Sequence, residues 1–351
     1  MGSFLSRHSL FSEQHAREPR FRWSQIERSF FDPKVRGWEQ VHTIPQKLRL
    51  ELRHEIPWMS VESLRVFESV SKDTYKAVLV LRDHARIETV LMKNSRGQWT
   101  ICLSSQVGCA MRCAFCATGT LGLTRNLIDD EIVDQYRYWQ GFLSMHPDFP
   151  QRISNVVFMG MGEPLANYYA VKRAIASLLT YTDIGNTHIT VSTVGVLPLL
   201  EKMLYDKEWP AVRLAISLHS AHAETRKIIV PSSYEHFLSR LKEWSKKYLE
   251  LHGNRRHHIT FEHIMLHGVN DTLRHAKILA AFVNSIGDVK VNLIPYNITG
   301  HAARAGFSKS SPESIEKFAA YLKAHGVRVT VRKSMGDDIA AACGQLVAER
   351  S

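Results

Sequence analysis

Apolar residues recur along this chain with two periods, and the change between them divides it. Residues 1–21 are polar and basic with no sustained period, and a flexible N-terminus is expected there. Over residues 22–60 the spacing is helical, as in WSQIERSFF and IPQKLRLELRHEI, which predicts a small helical module. Residues 61–98 hold short alternating segments, SLRVFESV, YKAVLVL and RIETVLM, which predict the strands of a small β extension. Over residues 99–333 apolar strand candidates alternate with amphipathic helices. The strands are TICLS, ISNVVFMG, HITVSTVG, VRLAISLH, HITFEHIML and VKVNLIPYN, and VRVTVRK closes the series. The helices run from DDEIVDQYRYWQGFL to PESIEKFAAYLKAHG, and residues 334–351 form a C-terminal segment.

Near-continuous apolar strands alternating with helices predict an α/β fold, a parallel sheet covered by helices. Six such units predict an incomplete barrel rather than the full eight. Barrel chemistry sits at the C-terminal ends of the strands. The residues expected at that mouth are Gly162 and Glu163, Ser192, Ser217 to His219, and Asn297.

Composition narrows the partners. The chain has 45 Lys+Arg against 34 Asp+Glu, formally +11, which favours a polyanion such as RNA or DNA. The Arg-rich entry helices and Arg255-Arg256 are candidate phosphate contacts. No apolar run approaches the roughly 18 residues of a membrane span, and no signal-peptide core is present, so a cytoplasmic protein is expected. Gly2 and Ser6 fit a loose myristoylation pattern. The sequons at Asn270 and Asn297 matter only in a secreted protein.

Five cysteines, four of them within CLSSQVGCAMRCAFC, do not make a disulfide framework. Cys109, Cys113 and Cys116 give C-x3-C-x2-C in the loop after the first barrel strand. Thiolates suit zinc or iron–sulfur clusters. A structural zinc site takes a fourth ligand at short range, and no second pair follows here. Three ligands on a four-iron cluster leave one iron open to a substrate or cofactor. Cys102 and Cys343 remain; composition alone reads both as small buried hydrophobes.

CAMRCAFC resembles the signature of the radical S-adenosylmethionine (SAM) superfamily. That resemblance implies a partial (β/α)6 barrel and one 4Fe–4S cluster, on Cys109, Cys113 and Cys116, whose open iron binds SAM. SSQVGCAMRCAFCATG, FMGMGEPLAN, STVGVLP, AISLHS, HGVND, NLIPYN, RKSMGDDIAAACGQL and RIETV are similar to the RlmN/Cfr family of RNA adenine methyltransferases, over about residues 22–346. The resemblance implies an adenine of 23S rRNA, and in some members of a transfer RNA, as substrate. It implies two SAM molecules per turnover and an electron donor such as flavodoxin or ferredoxin. It places the methyl-carrying cysteine at Cys343, the resolving cysteine at Cys102 and the proton acceptor at Glu88. It makes Gly162, Glu163, Ser192, Ser217, Leu218, His219 and Asn297 the SAM contacts. In such enzymes the methyl group is loaded on the cysteine, becomes a carbon radical, adds to the ring and is freed as a Cys102–Cys343 disulfide forms.

GEPLAN, NLIPYN and RKSMGDD sit closer to the RlmN pattern, which implies methylation of carbon 2. CATGTLGL and DEIVDQ also occur in the Cfr type, which acts on carbon 8 and stands as the alternative. A radical SAM activase of a protein partner is a further reading, one that has no use for the cysteine pair. A non-enzymatic iron–sulfur RNA-binding protein is the last.

Overall fold

The computed structural model describes residues 5–253, 259–298 and 306–347. Gly2, Arg255, Arg256 and the end of the Asn297 sequon lie outside them. The chain opens with three helices, α1 (Arg7–Gln14), α2 (Phe21–Phe30) and α3 (Gln46–Glu55). Strands β1 (Val61–Glu68), β2 (Thr74–Leu81), β3 (Arg86–Lys93) and β4 (Trp99–Cys102) follow, each antiparallel to the one before. A short hairpin, β5 (Gln106–Gly108) and β6 (Leu123–Asn126), brackets the cysteine loop and the short helix α4 (Ala117–Thr120).

The alternating series is then α5 (Asp129–Ser144), β7 (Ile153–Phe158), α6 (Tyr168–Tyr181), β8 (Ile189–Thr193), α7 (Leu197–Tyr205) and β9 (Arg213–Ser217). It continues with α8 (Ala223–Ile229), α9 (Phe237–His252), β10 (Ile259–Met265), α10 (Leu273–Asn284), β11 (Lys290–Pro295), α11 (Pro312–Ala324) and β12 (Arg328–Val331). The larger sheet has the order β1-β2-β3-β4-β7-β8-β9-β10-β11-β12. From β4 to β12 every neighbouring pair is parallel. This is the partial (β/α)6 barrel. Its strands are apolar on both faces because helices cover one side and the barrel interior the other, as Val156, Val191, Ile216, Phe261, Val291 and Leu293 show by their burial.

The strands of residues 61–98 join the barrel directly: β3 pairs with β4 through Val90–Cys102 and Leu91–Ile101, so the extension continues the barrel sheet. The open flank of β4, whose other side is taken by β7, is a row of unpaired backbone groups that such a meander satisfies. Within residues 5–21 the chain is ordered where a flexible N-terminus was expected. Ser6 caps α1 by accepting from Ser9 N–H, and Arg7 is buried.

Arg7 anchors the helical module to α5. Its guanidinium donates to both Asp134 oxygens at 3.0 and 2.9 Å and to Trp58 O at 2.9 Å. Arg137 donates to Asp134 at 2.5 Å, to Phe30 O and to Trp58 O. Ser60 donates its N–H and hydroxyl to the same carboxylate. Burial alone would raise the Asp134 carboxyl; Arg7 and Arg137 outweigh it and bring it down to about 2. Among the described residues no helix is long and apolar enough to cross a membrane.

Candidate active site

The cysteine loop is shaped by positions only glycine tolerates. Gly108 has φ +77°, and a Cβ there would lie 1.9 Å from Gly122 O. This close approach lets Cys109 N–H donate to Gly122 O at 2.9 Å, so the loop starts where the hairpin pinches. Within it Arg112 adopts φ +54° and Cys116 N–H donates to Cys113 O at 3.1 Å. Ala114 N–H donates to Ile229 O at 2.9 Å, which ties the loop to the end of α8.

Cys109, Cys113 and Cys116 line one cavity that opens to solvent. Burial pushes Cys109 up to about 12 and Cys113 and Cys116 upward, and neighbouring thiolates add to the shift at Cys109 and Cys113. Among the described residues no three His, Cys, Asp or Glu side chains converge on a single metal ion. Three thiols spread around one cavity suit a cluster, in which each thiolate binds a different iron, and iron deprotonates its thiols outright. The donor set therefore fits a 4Fe–4S cluster.

The opposite wall is built by strand ends. Gly162 has φ +102°, and a Cβ there would lie 2.6 Å from Gln106 Cβ, so the turn after β7 packs directly on β5. Gln106 Oε1 accepts from Glu163 N–H at 2.8 Å and fixes the same turn. The Glu163 carboxylate is buried and accepts from Leu165 N–H at 2.9 Å and Val194 N–H at 2.8 Å, joining the ends of β7 and β8. Burial raises its pKa and these hydrogen bonds oppose the rise. Ser192 and Ser217 stand 3.3 Å apart, hydroxyl to hydroxyl, on neighbouring strands. His219, at φ +58°, is buried; its Nδ1 accepts from Ile264 N–H at 3.2 Å and its ring meets Phe115 edge-on at 4.7 Å. Burial, with the charges of His263 and Arg226, lowers its pKa well below the ordinary value, so the ring is neutral.

Gly162, Glu163, Ser192, Ser217 and His219 thus line the thiol cavity. Leu218 does not; its side chain is in the core, and its backbone N–H donates to Glu262 O while its carbonyl accepts from Arg226. Asn297 lines an adjoining cavity, where its buried Oδ1 has no hydrogen-bond partner among the described residues. An orphaned acceptor there fits a polar ligand.

The adjoining cavity contains Cys102 and Cys343, and Cys343 also lines the thiol cavity. Cys343 reaches this seam on a strap folded over the barrel mouth. Ala117 N–H donates to Gly344 O at 2.7 Å, Thr118 Oγ1 to Leu346 O at 2.6 Å, and Gln345 reaches Asp337 at 2.6 Å. Burial pushes the Cys102 thiol up to about 12, and the charge of Cys343 pushes the same way. Cys343 has open surface in the cavity, but the enclosing walls raise its thiol too, against Arg332.

Glu88, like Leu218, stands apart from the cavities and lines neither. One oxygen lies 3.1 Å from Lys76 Nζ, and the other accepts from Val347 N–H at 2.8 Å, so it sits behind the strap and fastens it.

Three charged residues were not singled out from the sequence. Arg332 lines both cavities, lies 3.5 Å from Glu262, and its charge lowers the pKa of both Cys102 and Cys343. Glu262 is buried and accepts from Asn292 at 2.9 Å. Arg226 is buried on α8; burial lowers it to about 9, with Cys113 and Tyr234 pulling back. Arg332 is the first residue of the RKSMGDD segment and was within reach; Arg226 lies on a helix too short to show a period.

Residues 103–277 match the Radical SAM superfamily. The chain is 39% identical over 346 residues to the dual-specificity RNA methyltransferase RlmN of Alcanivorax borkumensis, covering 95% of this chain and 86% of that one. It is 34% identical over 338 residues to the ribosomal RNA large subunit methyltransferase Cfr of Clostridium botulinum, covering 94% and 93%. The crystal structure of a radical SAM methyltransferase from Sphaerobacter thermophilus superimposes with a TM-score of 0.88 at 34% identity, over 98% of each chain. With the barrel, the three-thiol cavity and the cysteine-bearing strap in place, this likeness along nearly the whole length means that the chain belongs to the RlmN/Cfr family of radical SAM RNA methyltransferases.

Proposed function

We propose that this enzyme methylates carbon 2 of an adenine in 23S rRNA and also acts on transfer RNA, using Cys343 as the methyl carrier. The observation that carries the reading is the seam itself: Cys343 lines both the thiol cavity and the cavity of Cys102. A carbon-2 target is favoured by GEPLAN, NLIPYN and RKSMGDD, and by relatives named dual-specificity RNA methyltransferase. A carbon-8 target is the second reading, supported by the Cfr relatives.

Cys109, Cys113 and Cys116 hold the cluster, and Gly162, Glu163, Ser192, Ser217, Leu218, His219 and Asn297 hold SAM, with Leu218 contributing backbone. When bound, the cluster supplies the electron that cleaves SAM to the 5′-deoxyadenosyl radical, which takes a hydrogen atom from an S-methyl group; a flavodoxin or ferredoxin is the donor. The chain's own part begins when the Cys343 thiolate attacks the methyl group of a first SAM, forming a sulfur–carbon bond as the sulfonium bond breaks and S-adenosylhomocysteine leaves. Two SAM molecules are therefore used per turnover. Adenine's carbon 2 is electron-poor, so a carrier sulfur that presents a carbon radical is needed where polar methyl transfer fails.

Once the carrier carbon is bonded to the ring, one electron would pass back to the cluster that the cleavage of SAM left oxidised, and Glu88 takes the ring proton. Its carboxylate lies behind the strap, so this step requires the Val347 contact to loosen. The Cys102 thiolate then attacks Cys343 sulfur; the sulfur–carbon bond breaks toward the base, which takes up a proton and leaves methylated. The new disulfide, about 2.05 Å long, is reopened by an external dithiol. The half-exposed Arg332 lines both cavities at this seam, and the neutral His219 and the buried Glu262 line the thiol cavity beside it.

Mass spectrometry of adenine from RNA treated with the reconstituted enzyme, against 2-methyl and 8-methyl standards, tests the reading. The 2-methyl product is expected; an 8-methyl product assigns the second reading, and no methylated adenine overturns both.

A further inference from the structure

Arg226 is 2% exposed, and none of its hydrogen bonds goes to a charged group. Its Nε donates to Leu218 O at 3.1 Å, its Nη2 to Val194 O at 2.7 Å and Ser217 O at 3.4 Å, and its Nη1 to the Ser233 hydroxyl. The Phe237 ring lies 3.8 Å from the guanidinium centre. Among the described residues no carboxylate forms an ion pair with it. Phe115, Ile229, Val230, Val194 and Cys113 make up the apolar cluster beside it. A buried cation without an anion is costly to a folded protein, and such charges are paired or they neutralise.

The Arg226 guanidinium holds the carbonyls of Val194 and Ser217, which line the same cavity as Cys109, Cys113 and Cys116, and Val194 packs in one apolar cluster with Cys113 and Phe115. A thiol that ligates iron does so as a thiolate, so a cluster in this cavity brings negative charge to the site. The missing counter-charge is therefore supplied by the cluster site. The framework agrees: α8 holds the cysteine loop through Ile229 O and Ala114 N–H. Arg226 also grips the ends of β8 and β9 through Val194 and Ser217, two residues of the cavity wall.

We propose that Arg226 is the built-in counter-cation of the iron–sulfur cluster on Cys109, Cys113 and Cys116, and that its charge raises the cluster's reduction potential. The inference rests on those three cysteines holding the cluster. Reduction adds one negative charge to a set of thiolates and irons, so a fixed cation nearby favours the reduced form. Cluster potentials are set by net charge and local polarity as well as by cluster type.

The test is an anaerobic redox titration of the reconstituted holoenzyme, followed by the electron paramagnetic resonance of the reduced cluster, with iron content measured in parallel. Arg226→Gln keeps hydrogen-bond donors and removes the charge; Arg226→Lys keeps the charge. Through an effective dielectric of about 20, the Gln variant is expected to shift the one-electron equilibrium about tenfold toward the oxidised cluster. That is a midpoint about 59 mV lower. The Lys variant should recover more than half of the shift. A Gln variant that loses its cluster while Lys retains it also supports the role of charge. A wild-type midpoint in the Gln variant overturns the proposal. So does a Lys variant displaced as far as Gln, or loss of the cluster from both, since shape would then matter and not charge. If the wild-type protein binds no cluster, the assignment of the three cysteines fails, and this inference falls with it.

Discussion

Glu88 gives the sharpest test of how the barrel and the strap are joined. Its buried carboxylate faces two donors, Lys76 Nζ at 3.1 Å and Val347 N–H at 2.8 Å. Glu88→Gln keeps an oxygen for Val347 but turns an amide NH2 toward the Lys76 ammonium. Removing one partner of a buried ion pair costs about 3–5 kcal/mol, mostly the penalty of the stranded charge. Lys76 retains Ala340 O at 3.2 Å and the Phe67 ring at 5.0 Å, which places the expected loss near the lower end, about 3 kcal/mol. Lys76→Met alone strands the carboxylate by a similar amount. Together the two changes remove both charges, and the double variant should be more stable than the sum of the single losses by at least about 2 kcal/mol. Chemical denaturation with unchanged m values measures each corner of the cycle. Additive losses, within about 0.5 kcal/mol, would refute the ion pair as the strap's fastening. The same cycle separates Glu88's two roles. If Glu88 also accepts the ring proton, the stabilised double variant still fails to release methylated adenine; full turnover would leave Glu88 a fastening only.

Other outcomes follow from the same geometry. Asp134→Ala strands Arg7 and Arg137 and should cost at least about 3 kcal/mol in denaturant melts, releasing α1 to proteolysis. Because the folded Asp134 carboxyl lies at about 2 against an ordinary 3.8, its contribution is complete above pH 3.8 and vanishes as pH falls through about 2, which circular dichroism in acid would follow. Gly162→Ala must push a Cβ into Gln106 at φ +102°, and SAM affinity by equilibrium dialysis should fall at least about tenfold. Cys343→Ala should leave no methyl group on the protein by intact mass. Cys102→Ala should accumulate a nuclease-trimmed protein–RNA adduct, and free turnover by that variant would refute its resolving role.

The sequence by itself determined what local pattern can encode. The six strand–helix units and their parallel sheet follow from near-continuous apolar strands, because each is buried on both faces wherever its neighbours lie. The cysteine loop was equally legible, since its three thiols lie in one turn of chain and need no distant partner to be recognised. The strand-end residues Glu163, Ser192, Ser217 and His219 inherit their place from the barrel rule. Tertiary structure alone decided the rest. That β1 to β3 extend the barrel sheet depends on which flank of β4 stays open. That Arg7 is buried depends on Asp134, far along the chain on α5. Cys343 shares a cavity with Cys102 because Ala117 N–H, the Thr118 hydroxyl and the Glu88 carboxylate hold the backbone of the strap, and bonds to a backbone leave no trace in side-chain periodicity. The same holds for Arg226 and Arg332. A buried cation and a solvated one read alike in a sequence, and only the fold determines which carbonyls, thiols and rings surround each charge.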